Sequence, residues 1–102
     1  MTTIRDILNR AAELVEHGWT QGAYEFTENS KTYYCLVGAI GRAQEIFSVP
    51  GRQEAYKAIG DRLRKDHGLP KLDPISRWND APGRTQAEVV ALLREVASEC
   101  QG

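Results

Sequence analysis

Cys35 is the side chain best suited to nucleophilic chemistry in this sequence, because residues compatible with a helix follow it directly. A thiol at a helix start can be held as thiolate by the amides there, an arrangement on which papain-type enzymes rely. His17 and His67 are the candidate bases, and Asn79-Asp80 could orient either one. A plainer reading competes with this one. Each histidine precedes a glycine, in His17-Gly18 and His67-Gly68, where an imidazole complements the negative end of a helix. Cys35 stands between Tyr34 and Leu36-Val37, where a free cysteine serves as a small core residue. No glycine-rich nucleophile elbow or cysteine-enzyme signature surrounds it. A core cysteine is the stronger reading, a Cys35-dependent hydrolase is the enzymatic alternative, and no catalytic residue is assigned.

Other chemistries find less support. The cysteines and histidines are isolated from one another, without the C-x-x-C or H-x-x-x-H spacings that pre-arrange metal ligands. Gly38-x-x-Gly41 lacks the remaining parts of a phosphate-cradling loop. No metal and no cofactor is expected.

The elements that position these residues are mostly helical. From Tyr33 to Gly41 the chain carries no charge, and such a run, continuing to Phe47, reads as a central buried helix from about Tyr34. Gly38 and Gly41 each cost roughly 1 kcal/mol of helix propensity relative to alanine, so another backbone should approach that face closely. A first helix should open at Thr2 or Thr3 and close at His17-Gly18, with Ile4, Ile7, Leu8, Ala11, Leu14 and Val15 on one stripe. Alternation at Tyr24 and Phe26, a turn at Glu28-Asn29-Ser30-Lys31, and Thr32-Tyr33-Tyr34 suggest a small two-stranded hairpin. A third helix spans roughly Gln53 to His67, with Ala55, Tyr56, Ile59 and Leu63 as its apolar stripe. Asp73-Pro74 suits the cap and first position of a short helix, Ile75 to Asn79. Pro82-Gly83 suits the centre of a type II turn, and Thr85-Gln86-Ala87-Glu88 is a capping box for the last helix. Val89, Leu92, Leu93, Val96, Ala97 and Cys100 line that helix's buried face. The expected fold is therefore mainly α: one domain over residues 1–102, with four to five helices around a central buried helix and room for one hairpin.

Composition agrees with a single globular domain. The chain has 102 residues, 41% of them hydrophobic and 26% charged, with a net charge of −1. At that size it buries roughly 60–70% of its unfolded surface, enough for a modest core. Residues 52–84 hold eight basic and five acidic side chains, a local excess of +3 between acidic flanks. In the third helix Asp61 and Asp66 interrupt Arg52, Lys57, Arg62, Arg64 and Lys65, so a phosphate-contacting face is poorly concentrated and nucleic acid is an unfavoured partner. No apolar run nears the ~20 residues that span a bilayer. Met1-Thr2-Thr3-Ile4 leads straight into a charged amphipathic helix, so no secretory leader is expected and a reducing cytoplasm is the default compartment.

Three blocks carry a resemblance: Gly18-Trp19-Thr20-Gln21-Gly22-Ala23-Tyr24, Cys35-Leu36-Val37-Gly38-Ala39-Ile40, and Trp78-Asn79-Asp80-Ala81-Pro82-Gly83-Arg84-Thr85 leading into Glu88-Val89. Together they resemble an uncharacterised family of small proteins from actinobacteria and the bacteriophages that infect them. The resemblance spans nearly the whole chain and matches least between Val49 and Lys71. It implies a cytoplasmic protein, with a phage gene among its sources, and it implies no activity and no catalytic residue.

The Trp78–Thr85 loop has two readings. Trp78 can anchor the short helix, Asn79 and Asp80 can bond the turn backbone, and Thr85 can cap the last helix, which accounts for the loop by structure alone. Alternatively, Asn79, Asp80 and Arg84 join Trp19, Gln21 and Tyr24 in one partner-facing patch, since aromatic residues and arginine anchor interfaces. On that reading Arg84 lies just outside the last helix and is exposed. The role expected is that of a small intracellular, non-enzymatic binding or modulator protein acting on a protein partner.

Overall fold

Thr3 opens the first helix, α1 (Ile4–His17), through a reciprocal capping box: its hydroxyl accepts from the Asp6 amide at 3.3 Å, and the Asp6 carboxylate accepts from the Thr3 amide at 3.0 Å. The computed structural model describes residues 3–68 and 74–100. After α1 come β1 (Glu25–Glu28), β2 (Lys31–Tyr34), α2 (Leu36–Phe47), α3 (Arg52–His67), α4 (Pro74–Asp80) and α5 (Gln86–Glu99). This is the mainly α arrangement that the periodicity predicts. The segment Leu69–Leu72 and the proposed cap at Asp73 lie outside the described residues.

Helix α1 packs on α5, α2, α3 and β2. Ile7, Leu8, Ala11, Ala12 and Val15 are fully enclosed there, and each large aliphatic side chain so buried contributes about 1.5–3 kcal/mol. Helix α5 lies antiparallel to it and is stapled at both ends. Arg5 donates to the Cys100 carbonyl at 2.6 Å, and Gln86 donates to the Val15 carbonyl at 2.6 Å. Helix α2 is buried at Leu36, Ala39, Ile40, Gly41 and Ala43 but turns Arg42, Glu45 and Ile46 outward. The uncharged run is thus interior at its start and along one face, and the helix becomes amphipathic after Gly41.

The hairpin is not held by burial of β1, because all four β1 residues are exposed. Asn29 and Ser30 form its two-residue turn at φ 52° and 65°, the left-handed pair that suits the twist of a hairpin. Register pairs Glu25 with Tyr34, Phe26 with Tyr33, Thr27 with Thr32 and Glu28 with Lys31. Beyond β2, the Tyr34 amide donates to the Gly18 carbonyl at 3.0 Å and its carbonyl accepts from the Thr20 amide at 3.1 Å. Of the two roles the sequence allows Tyr34, it takes the end of the strand; Cys35 is the cap, and α2 begins at Leu36.

Candidate functional site

Asn79 comes from the last turn of α4 and is completely buried, with 0% of its surface exposed. Its side chain uses every bond an amide has to offer. Oδ1 accepts from the Trp19 indole N–H at 2.8 Å and from the Leu36 amide at 3.1 Å. Nδ2 donates to the Thr20 carbonyl at 3.2 Å and to Asp80 Oδ1 at 2.9 Å. The same amide group thus binds the 19–20 segment, the first turn of α2 and α4. Neighbouring bonds extend the clamp: Gln21 donates to the Asn79 carbonyl at 2.9 Å and to the Ala81 carbonyl at 3.1 Å. Asp80 accepts from the Gly22 amide at 3.0 Å. Two of the sequence blocks singled out above, 18–24 and 78–85, therefore meet in space and lock together.

The clamp delivers Tyr24 to the surface. Its carbonyl accepts from the Cys35 amide at 3.1 Å, and a Cβ on Gly38 would stand 1.9 Å from the same oxygen. Only glycine lets the two backbones meet there, which is the close approach the glycines of α2 predict; at Gly41 the neighbours are instead the side chains of Tyr56 and Arg52. The ring of Tyr24 is left 66% exposed. It stands between two clefts. One, of about 400 Å³, is walled by Gly22, Ala23, Tyr24, Cys35, Ser76 and Asp80. The other, of about 340 Å³, lies on the Glu25 side against Val37, Gly38, Arg42, Glu45 and Tyr56.

A family model of proteins of unknown function, DUF6197, matches residues 1–99. The chain belongs to the DUF6197 family. No curated protein and no solved structure matches it.

In this DUF6197 chain Cys35 lines the larger of these two clefts as a buried cap of α2. It is 4% exposed, and its sulfur accepts from the Gly38 amide at 3.3 Å as the cap of α2. Burial pushes the thiol above its ordinary range, outweighing the amides of Gly38 and Val37 that favour the thiolate. His17 and His67 end α1 and α3 respectively, both exposed, and neither lines that cleft. Among the described residues no three His, Cys, Asp or Glu side chains gather as a metal site.

Arg84 departs from its expected exposure. Its guanidinium lies 3.9 Å from the centroid of the Trp78 ring, donates to the Trp78 carbonyl at 2.8 Å and meets Glu88 at 3.1 Å, with 18% of the side chain exposed. The stack places it beside the other face of α4, away from the Tyr24 clefts. The type II turn before it forms as expected, with Gly83 at φ 83° and Arg84 N–H donating to the Ala81 carbonyl at 3.1 Å. Of the six residues expected to form a patch, Trp19, Asn79 and Arg84 hold the frame. Gln21, Tyr24 and Asp80 reach the surface. Glu25, Ser76 and Tyr56, which also wall the clefts, were not singled out, because no local pattern joins them to Tyr24.

The basic side of α3 is largely occupied. Lys57 meets Asp61 at 2.8 Å, Arg64 meets Asp61 at 3.0 Å, and Arg62 meets Asp66 at 2.6 Å and Glu95 at 3.2 Å, with Glu99 also in contact. Among the described residues no helix is long and apolar enough to cross a membrane.

Proposed function

We propose that this DUF6197 protein is a non-enzymatic, intracellular binding module that engages a protein partner through the Tyr24 face. One observation carries the reading: a large aromatic ring is held 66% exposed on a ridge between two clefts, on a loop fixed by a fully bonded buried asparagine. Aromatic anchors presented on pre-organised backbone are what protein interfaces favour, because little freedom is lost on binding. Phe26, 49% exposed, adds a second aromatic on the adjoining strand. Gln21 and Asp80 supply a polar rim. The two free cysteines fit a reducing compartment.

A photo-crosslinking aromatic at position 24, compared with the same group at exposed Ala91 on α5, tests the reading in cells producing the protein. A discrete protein adduct at position 24 that is missing at position 91 is expected. Equal labelling at both positions, or none at 24, rules the face out.

A further inference from the structure

The alternation of an antiparallel ladder shows which main-chain groups of β1 are turned outward. Tyr34 directs its N–H and C=O away from β1, to Gly18 and Thr20. Its register partner Glu25 must then direct its own N–H and C=O away from β2. Thr27, two residues on, does the same. Segment 18–20 covers the outer edge of β2, whereas among the described residues no hydrogen bond reaches the outward groups of Glu25 or Thr27. The sheet therefore has one closed edge and one open edge.

We infer that the open edge of β1 takes an extended, basic segment of a partner protein as a third strand. This rests on the reading of the Tyr24 face as partner-facing and names the chemistry of that partner. Main-chain bonds to Glu25 and Thr27 supply affinity without regard to sequence, and flanking side chains supply the choice of segment. Here the flanks are acidic. Glu25 and Glu28 are exposed and belong to no ion pair among the described residues, and Lys31 lies instead over the Tyr33 ring at 5.0 Å. Phe26, 49% exposed, shares the face of Glu28, and Glu25 lies on the opposite face. The complementary segment carries a cation opposite each glutamate and an apolar residue opposite Phe26. A second copy of this chain fits worse, since it brings two more carboxylates to a four-residue strand and no cation to offset them. The cleft beside Glu25, about 340 Å³, is lined by Arg42 and Arg52 as well as Glu45, so it has room for an uncharged side chain of the incoming segment, and the cations lie over the exposed carboxylates.

A short peptide with a lysine–valine–phenylalanine–lysine core is the probe. Saturable binding is expected, with slowed hydrogen exchange at the Glu25 and Thr27 amides. N-methylation of the two central peptide amides should weaken it roughly tenfold or more, because in either register one of the two faces β1, and the added strand loses that donor and meets a methyl group at the edge. The double variant Glu25→Lys/Glu28→Lys, at exposed positions that leave the core intact, should transfer the preference to a peptide with glutamates in place of lysines. Absence of saturable binding, undiminished binding of the N-methyl peptide, unchanged exchange at both amides, or self-association through β1 would each overturn the inference. Position-specific crosslinking at Tyr24 with no peptide binding would remove the added strand and leave the face standing. Loss of the crosslink would remove the face itself.

Discussion

The indole nitrogen of Trp19 donates to Oδ1 of Asn79 at 2.8 Å across sixty residues of sequence. That bond closes a network with no spare capacity. Asn79→Ala would strand the Trp19 indole, the Leu36 amide and the Thr20 carbonyl together. Each buried polar group left unpaired costs about 1–3 kcal/mol, and groups in one network are not additive. The expected loss is about 3–5 kcal/mol in urea denaturation, a large share of the roughly 5–15 kcal/mol that holds a domain. A loss below about 1 kcal/mol would show that water replaces the amide at little cost and that the clamp is not the organising feature.

Two glycines inside helices should answer alanine in opposite ways. At Gly60 the nearest atoms to a new Cβ belong to the Arg64 guanidinium at 3.4 Å, an ordinary contact. Gly60→Ala should gain up to about 1 kcal/mol of helix propensity. At Gly38 the new carbon would stand 1.9 Å from the Tyr24 carbonyl oxygen. Gly38→Ala should lose stability despite the same propensity gain and should shift the amide resonances of the Tyr24–Phe26 segment. Thermal melts of the two variants decide it; a stabilised Gly38→Ala would mean that the close approach is easily relieved.

Local signals made the helices legible and left the clamp obscure. Thr3 and Thr85 sit three residues before a carboxylate, so each cap is written in four consecutive letters, and both helices start where those letters say. The stripes of α1 and α5 follow a period that needs no knowledge of the rest of the chain. Tyr34 is different. Its neighbours allow both the end of a strand and the start of a helix, and pairing with Glu25, Gly18 and Thr20 decides for the strand. Asn79 is different for the same reason: residues 19, 20 and 36 satisfy it, and no short window contains them. Arg84 read as exposed from its place just before a helix, but the ring that covers it lies six residues back, beyond the turn.

That burial sets the outcome at Arg84. Arg84→Ala removes a guanidinium stacked on Trp78, a charged donor to the Trp78 carbonyl and a partner of Glu88. A shielded stack is worth about 0.5–2 kcal/mol and a charge-assisted bond about 1.5–3 kcal/mol, with overlap between them. The expected cost is about 1–3 kcal/mol in denaturation, with partner binding at the Tyr24 face unchanged at temperatures where the variant is folded. Arg84→Lys should recover little, since an ammonium cannot reproduce the planar stack. If Arg84→Ala melts with the wild type and loses the partner, the arginine is an interface anchor after all.

Cys35 offers the sharpest separation of core residue from nucleophile. Its sulfur caps α2 by accepting from the Gly38 amide, and burial raises its pKa. The folded state therefore favours the protonated thiol more than the unfolded chain does. The corresponding stability is fully present below the unfolded thiol's pKa of about 8.5 and is lost as pH rises through the higher folded value. Tyr56, also raised by burial, adds a further loss only above its own ordinary value of about 10. With Cys100 first replaced by serine, so that a single thiol remains, denaturation midpoints should hold up to about pH 8 and then decline. In that background Cys35→Ser keeps an oxygen acceptor for the Gly38 amide and removes the titration, so the decline between about pH 8.5 and 10 should disappear. Tyr56→Phe should leave it in place. Alkylation tracks the same chemistry: Cys35 should react slowly in the folded protein and at the rate of a free thiol once urea unfolds it. Rapid labelling of the native protein at neutral pH, with no alkaline decline in stability, would identify a thiolate where the structure places a buried thiol, and the hydrolase reading would displace the binding module.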